Sequence, residues 1–293
     1  MILLTGASGT VGRALLPLLL EGDRDVRALV RDPRGLGRHR VDVQIALGDL
    51  ARLGDHHLQR QALRGVDTVI HLAAAIRDEP HARVEELNGL ATARLLRAAE
   101  RAGVERFVFF SAIGATESQR TRFFRAKALA ERAVSASPLA TTIFAPSIVY
   151  DPADRWVRLM KRLALLPVLP ISGSGRARFE PIWAQDVARC VVAALGRDDR
   201  TARYELAGPQ ILSYDAIAGV VAKAAGHERP LVHVPLGLVH LTLVTLRRIF
   251  GEAVFATWEE AELMEVPMVS ARGTADAELL GVEPRPLEAV LGT

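Results

Sequence analysis

Three glycines near the start of the chain have the spacing of a phosphate-binding turn. Gly6, Gly9 and Gly12 follow the apolar run Ile2–Leu4 and lead into a helical pattern that begins at Val11. The first glycine permits a tight strand-to-helix turn, the second lets a pyrophosphate approach the backbone, and the third lets helix and strand pack closely. The start of the helix adds free N–H groups and a positive dipole. The pattern therefore predicts dinucleotide binding.

The end of the second predicted strand bears on which nicotinamide dinucleotide is bound. An arginine there pairs with a 2′-phosphate, whereas a carboxylate accepts hydrogen bonds from the ribose. Arg31 directly follows the strand Val26–Val30, and Asp32 comes one residue later. This order favours NADP, with Asp32 and NAD as the alternative. Asp49, after the third predicted strand, is expected either to contact the adenine amino group or to cap the next turn.

These residues need a fold that brings several strand ends together. Short apolar runs alternate with helical patterns in the first half of the chain, which is typical of an α/β fold with a doubly wound parallel sheet, the Rossmann fold. The predicted strands are Ile2–Thr5, Val26–Val30, Val43–Leu47, Thr68–Leu72, Arg106–Phe110 and Thr141–Phe144. The predicted helices are Val11–Glu21, His56–Arg64, Ala82–Ala102 and Thr121–Ser135. Ligands of such sheets bind at the carboxyl ends of the strands.

The pattern changes from Asp151 onward. We predict a dinucleotide-binding Rossmann core over residues 1–150 and a mixed region over 151–293 that returns elements to the core and forms a small substrate or partner lid. The expected elements are a helix over 155–165, a strand over 178–182, a helix from near 186, a strand over 204–206 and a helix over 213–225. Asp186 heads an apolar run and is predicted to cap its helix.

Composition and charge restrict the function further. The formal net charge of +3 is too small to indicate nucleic-acid binding. The single cysteine, Cys190, excludes an internal disulfide, is expected to be a buried thiol and predicts a cytoplasmic location. His56 and His57 lack metal-ligand spacing, so no metal is predicted. The apolar segment Pro235–Arg248 is predicted to pack in the lid core or, alternatively, to dock on a partner or a membrane surface.

Several further motifs follow one another over roughly residues 1–195. They are Thr5–Gly12, Gly48–Leu50, His71–Ala74, Asn88, Phe109–Ala112, Ala145–Tyr150 and Asp186–Ala188. In this order they resemble the short-chain dehydrogenase/reductase superfamily, in its extended or atypical branches. Tyr204–Pro209 resembles a narrower group, which contains NmrA-like NAD(P)-binding proteins and the nucleotide-binding accessory subunit of respiratory complex I. We expect His71 to be a hydrogen-bonded strand-end histidine rather than a ligand.

The resemblance implies a catalytic Ser, Tyr and Lys, the last two spaced Tyr-x-x-x-Lys on one helix. Ser111 and Lys127 match, but Phe123 stands at the tyrosine position and the chain contains no Tyr-x-x-x-Lys. Phenylalanine cannot transfer a proton, so the usual acid/base mechanism is absent. The family's lysine also bonds the nicotinamide ribose, a role left to Lys127. The cofactor contacts we expect are Gly6, Ser8, Gly9, Thr10, Val11, Gly12, Arg31, Asp49, Leu50, Ala73, Ala74, Lys127, Pro146 and Ile148.

Two functions are consistent with these residues. The first is an atypical NAD(P)-binding protein that holds its cofactor as a sensor or accessory protein. The alternative is an NADP-dependent oxidoreductase or epimerase-like isomerase with a non-standard proton donor, such as the substrate itself, a water held by Ser111, or Tyr150. Besides the dinucleotide, the expected partner is an unidentified small molecule or protein.

Overall fold

The computed structural model describes residues 1–52, 54, 58–79, 82–197, 199, 201–250 and 257–292. His56 and His57, with the start of their predicted helix, lie outside these residues. The described strands are β1 (Ile2–Thr5), β2 (Val26–Val30), β3 (Gln44–Leu47), β4 (Thr68–His71), β5 (Arg106–Phe110), β6 (Ala140–Pro146), β7 (Val149–Tyr150), β8 (Leu169–Ser172), β9 (Arg178–Phe179), β10 (Ile182–Trp183), β11 (Thr201–Leu206), β12 (Leu212–Ser213) and β13 (Leu231–Val234).

Helices connect most of these strands. They are α1 (Thr10–Glu21), α2 (Ala91–Ala102), α3 (Arg122–Ser135), α4 (Arg155–Leu163), α5 (Ala184–Leu195), α6 (Tyr214–Ala224), α7 (Leu236–Phe250), α8 (Trp258–Leu263), α9 (Ala275–Leu279) and α10 (Leu287–Leu291). Pro33–Val41 forms short 3₁₀ turns that are interrupted at Gly37, and Leu58–Ala62 and Glu86–Leu90 are π-helical turns. Among the described helices, none is both long and apolar enough for a bilayer span.

The central sheet confirms the predicted doubly wound Rossmann fold. Its seven parallel strands have the order β11-β6-β5-β4-β1-β2-β3. Alternate residues of the inner strands enter separate apolar clusters, because successive side chains point to opposite faces. Leu4 packs in the cluster that α1 and α5 cover, whereas Leu3 packs in the cluster that α2 and α3 cover. The reversal between β1 and β4 brings their carboxyl ends together above the glycine turn.

Residues after 150 add β11 to the edge of the central sheet, and most of the rest surrounds a third apolar cluster. Small strand pairs, β7 with β10, β8 with β13 and β9 with β12, frame this cluster. The strand predicted over 178–182 is divided in two by Glu180 and Pro181, and a proline has no N–H for a sheet ladder.

One prediction about this region is wrong, and a second holds only in part. Asp186 does not cap α5, because Trp183 holds the N-cap position and Asp186 lies in the first turn. Its buried carboxylate instead accepts a hydrogen bond of 2.9 Å from the Arg285 backbone. Pro235–Arg248 does not pack wholly in the lid core: α7 buries Leu243 but leaves Leu238 56% and Leu241 64% exposed.

Candidate functional site

The glycine turn brings β1, α1 and the end of β4 into close contact. Gly6 has a φ of +72°, and a Cβ atom there would lie 2.6 Å from the Ala73 nitrogen. A Cβ on the buried Gly12 would lie 2.3 Å from the Gly6 carbonyl oxygen. Both positions therefore need glycine for the fold itself. Gly9 is exposed, and a Cβ there would meet only the Gly6 oxygen, at 3.2 Å.

The N-terminus of α1 fits a pyrophosphate. Gly9 is the N-cap, no side chain caps the helix, and the first turn contains no acidic residue. The first N–H groups of an α-helix have no intrahelical acceptor, and here they belong to Thr10, Val11 and Gly12. With Ser8 exposed beside them, these groups form an anion-binding end that has a positive dipole and no competing carboxylate.

The loop after β2 places basic side chains beside the glycine turn. Arg31 is paired with Glu79, which follows β4. The Asp32 carboxylate accepts hydrogen bonds from the Arg34 backbone at 2.9 Å and from its Nε at 3.0 Å, and the Arg34 side-chain bond holds the pKa of Asp32 below its usual value. A cavity of about 410 Å³ lies between this loop and α1, and its lining includes Arg13, Arg34, Arg38 and His39.

The ends of β3 and β4 carry the predicted adenine and sheet-edge residues. Asp49 Oδ1 accepts a hydrogen bond of 3.0 Å from the Ala51 nitrogen, as in a capped turn, and Leu50 is half-buried. Ala73 is half-buried and Ala74 is exposed, as small residues at a ligand-facing edge would be. The buried Asn88 fixes this strand end by donating to the Ala75 oxygen at 2.6 Å and accepting from the Ala75 nitrogen at 3.2 Å.

His71 lies in a buried hydrogen-bonded chain, in agreement with its predicted structural role. Thr92 donates to the Asn88 oxygen at 2.8 Å, so its oxygen accepts from His71 Nε2 at 2.9 Å. His71 Nδ1 then accepts from the Thr5 hydroxyl at 2.7 Å. Burial, with a smaller contribution from the Lys127 charge, lowers the pKa of His71 to about 3. The imidazole is therefore neutral and ties β1 and β4 to the segment that contains Asn88.

Lys127 is buried on α3 against the end of β5. Its Nζ donates a hydrogen bond of 2.6 Å to the Phe110 oxygen and lies 5.0 Å from the centre of the Phe109 ring. Burial lowers the pKa of Lys127 to about 7. This lysine is thus a donor held at the carboxyl edge of the sheet, and it changes protonation near neutral pH.

Ser111 lies just after β5 and Phe123 lies on α3, the two elements that the Lys127 hydrogen bond connects. Ser111 follows β5, and its buried Oγ has no hydrogen-bond partner among the described residues. The half-buried Phe123 ring is centred 5.8 Å from Lys127 Nζ and packs edge-on against Phe124. The structure brings a hydroxyl and an amine to the sheet edge but offers no acid at residue 123.

The end of β6 carries the other predicted contacts. Pro146 is buried and Ile148 is half-buried. Tyr150, the alternative proton donor, is fully buried in the third apolar cluster and its hydroxyl has no described partner. Burial, followed by the charge of Asp186, raises the pKa of Tyr150. Its hydroxyl therefore stays protonated.

Sequence reasoning missed the Thr5–His71–Thr92 chain and the basic cavity beside α1. Both are built from residues that are far apart in the chain, and only the parallel sheet order would have indicated the first. Cys190 is buried as predicted, and burial raises its pKa to about 12. Within the described ranges, no three His, Cys, Asp or Glu side chains form a group suited to a metal ion.

Comparison with known sequences agrees with this geometry. The profile of the NAD(P)H-binding family matches residues 6–198. The chain is 30% identical over 242 residues to the NAD(P)H azoreductase of Xenophilus azovorans, covering 81% of this chain and 78% of that protein. It is 29% identical over 231 residues to the mitochondrial NADH dehydrogenase (ubiquinone) 1 alpha subcomplex subunit 9 of Arabidopsis thaliana, covering 74% of this chain but 56% of that protein.

Solved structures share the fold. A nucleoside-diphosphate-sugar epimerase from Staphylococcus aureus superposes with a TM-score of 0.75 at 20% identity, over 100% of this chain and 99% of that one. The likeness extends past residue 150, so the described part of the region after β7 shares this fold as well.

Proposed function

The chain belongs to the NAD(P)H-binding family, and from that premise we propose that it holds a nicotinamide dinucleotide as a sensor or accessory protein rather than as a standard dehydrogenase. The observation that carries this proposal is a pair of features on one sheet edge: the uncapped start of α1 at Gly9, and the aromatic ring of Phe123 beside the buried Lys127. The first feature suits a pyrophosphate. The second lacks the acid that carbonyl reduction needs.

Each part of the dinucleotide has candidate contacts on this edge. The backbone N–H groups of Thr10, Val11 and Gly12, with Gly6, Ser8 and Gly9 shaping the turn, suit the pyrophosphate. Asp49 and Leu50 suit the adenine, although the bond between Asp49 and Ala51 equally supports a capping role. Ala73, Ala74, Pro146 and Ile148 suit the flat faces of the nicotinamide and its ribose, and Lys127 suits the ribose hydroxyls.

NADP is the form that the charges favour. The cavity beside the glycine turn has three arginines in its lining, and a 2′-phosphate pairs well with the planar guanidinium group. Arg31 pairs with Glu79 and does not line this cavity, so we propose that Arg34 and Arg13 contribute to this contact alongside it. Asp32, the residue that would favour NAD, has its carboxylate engaged by Arg34.

An NADP-dependent oxidoreductase is the second candidate, because Ser111 Oγ is buried without a described partner. Hydride exchange is the chemistry that a bound nicotinamide supplies. Ser111 would orient a substrate oxygen or a water, and Lys127 would hold the neighbouring ribose. Tyr150 is a weak donor, since its raised pKa keeps the proton on oxygen. The relative named NAD(P)H azoreductase supports this candidate.

The remaining partners are proposals as well. The exposed Leu238 and Leu241 support the alternative that Pro235–Arg248 docks on a protein or a membrane surface. A cytoplasmic location and an unidentified small molecule as a further ligand rest on the sequence alone.

A titration of the purified protein with NADPH and with NADH, followed by nicotinamide fluorescence, tests the proposal. We expect saturable binding of both, with NADPH bound more tightly, and no consumption of NADPH when aldehydes and ketones are added. The proposal would be overturned if neither dinucleotide bound. Steady NADPH consumption with a carbonyl substrate would instead support the second candidate, an NADP-dependent oxidoreductase.

A further inference from the structure

Helix α4 has one apolar face and one basic face. Val157, Met160 and the following Ala164 are buried in the third apolar cluster. Arg158 and Arg162 are exposed on the other face, and Lys161 is partly exposed beside them. None of these three bases forms an ion pair with a described residue. The helix therefore presents a row of solvated cations while its other face anchors it to the lid.

An exposed apolar turn follows this helix directly. Leu165 is 64% exposed, Leu166 45% and Val168 37%, and Pro167 lies exposed between them. Leaving consecutive apolar side chains in water is unfavourable, which makes this turn a candidate interaction site.

The turn is held firmly at both ends. The Leu165 nitrogen donates to the Arg162 oxygen at 3.2 Å, and the Leu169 nitrogen donates to the Pro230 oxygen at 3.0 Å. Arg229 Nε donates to the Ala164 oxygen at 3.2 Å. The apolar side chains are thus displayed on fixed backbone, so their exposure is a property of the fold.

Along the chain, the charge on both sides of this turn is basic, although the exposed Glu228 lies next to Arg229 on the neighbouring segment. From Arg155 to Phe179 the chain contains six basic residues and no acidic residue. Asp154, just before the helix, is engaged as its N-cap and accepts from the Val157 nitrogen at 2.7 Å. A cationic rim next to protruding leucines complements a surface that is anionic outside and apolar beneath, which is the structure of an anionic lipid leaflet.

We propose that residues 158–168 form a membrane-docking surface for anionic lipids. Leu165, Leu166 and Val168 enter the boundary between headgroups and acyl chains, and the three bases of α4 contact lipid phosphates and carboxylates. This surface differs from Pro235–Arg248 in both residues and elements. It goes beyond the cofactor role, because the cofactor residues lie at the carboxyl edge of the central sheet and on α1 and α3.

Flotation of the full chain with lipid vesicles tests this inference. We expect binding to vesicles of equimolar phosphatidylcholine and phosphatidylserine, little binding to phosphatidylcholine alone, and release by high salt. Neutralising Arg158 and Arg162 together (Arg158→Gln, Arg162→Gln) should reduce partitioning about 25-fold, at about fivefold for each cation. Leu165→Gln with Leu166→Gln should reduce it about tenfold or more. Leu279→Gln, which changes a leucine 56% exposed on α9, is the matched control and should have no effect.

Three results would overturn the inference. If the protein bound NADPH normally but bound no vesicle, the proposed membrane surface would be wrong and the proposed cofactor site would stand. Binding that is lost in Leu238→Gln/Leu241→Gln but kept in Leu165→Gln/Leu166→Gln would assign the contact to α7. Self-association in light scattering that Leu165→Gln/Leu166→Gln abolishes would assign the patch to a second copy of the chain.

Discussion

The ammonium nitrogen of Lys127 donates a hydrogen bond of 2.6 Å to the carbonyl oxygen of Phe110, the last residue of β5. Both residues are buried, and no described carboxylate forms an ion pair with the lysine. A carbonyl oxygen and aromatic faces replace only part of the hydration of a cation. The lysine therefore occupies a position that disfavours its charge when no ligand is bound.

The stability of the cofactor-free protein should depend on pH through Lys127. Its pKa is about 7 in the fold and 10.5 in the unfolded chain, so between these values the unfolded state binds more protons. The free energy of unfolding should therefore gain up to about 1.4 kcal/mol per pH unit across this window from this group. Urea unfolding at several pH values measures it.

Lys127→Met lacks this titrating group. It should be more stable than the wild type at pH 7, and this difference in the free energy of unfolding should shrink as pH rises towards 10.5. Lys223→Met, at an exposed lysine of α6, is the control and should follow the wild type. A wild-type-minus-variant difference that does not change with pH would contradict the assignment.

Gly9 and Gly12 should respond differently to substitution. Gly12→Ala puts a Cβ 2.3 Å from the Gly6 oxygen and should lower the free energy of unfolding by about 3 kcal/mol. Gly9→Val should cost about 1 kcal/mol as a poor N-cap, yet should abolish NADPH binding because the side chain covers the helix start. Thermal melts and fluorescence titrations separate the two effects. Unchanged NADPH affinity in Gly9→Val would place the pyrophosphate elsewhere.

The preference for NADPH should depend on Arg34. Arg34→Gln should weaken NADPH binding about tenfold or more, since a charge-assisted bond to phosphate is lost. It should not weaken NADH binding, because it releases the Asp32 carboxylate. Arg31→Gln should have the smaller effect, because Arg31 does not line the cavity. Arg40→Gln is the control, as this exposed arginine of the same loop does not line the cavity. An equal loss of affinity for NADPH and NADH would show that Arg34 does not bind the 2′-phosphate.

The sequence predicted the sheet well because its strands are short apolar runs that need no distant information. The glycine turn, the buried His71 and Ser111 after β5 follow from local pattern for the same reason. The basic cavity did not, because Arg13 and Arg34 meet only when the loop after β2 packs on α1. The capping role predicted for Asp186 is wrong because a local pattern does not show that Arg285 provides a backbone donor. The exposed part of α7 could not be predicted either, because an apolar pattern does not show which part of a helix stays outside the core.

Cys190 should report unfolding rather than surface chemistry. Its thiol is fully buried on α5 and its pKa is raised to about 12, so at pH 8 little reactive thiolate exists and reagents cannot reach it. Labelling with dithionitrobenzoate should be slow in buffer and complete in urea. Ser118→Cys in a Cys190→Ser background supplies an exposed thiol as the positive control. Fast labelling of the native wild type would mean that α5 opens readily.

Phe123→Tyr should convert the cofactor holder into a weak carbonyl reductase. Residue 123 lies on the same helix as Lys127, four residues before it, and its ring centre is 5.8 Å from Nζ. A phenol there would be near an amine that titrates close to neutrality, and the positive charge would favour loss of the phenol proton. NADPH consumption with a panel of aldehydes and ketones measures the gain. Phe123→Leu should stay inactive, and Phe123→Tyr/Lys127→Met should lose the gain. No consumption by Phe123→Tyr, with NADPH binding retained, would mean that Ser111 or the substrate geometry is unsuited to carbonyl reduction.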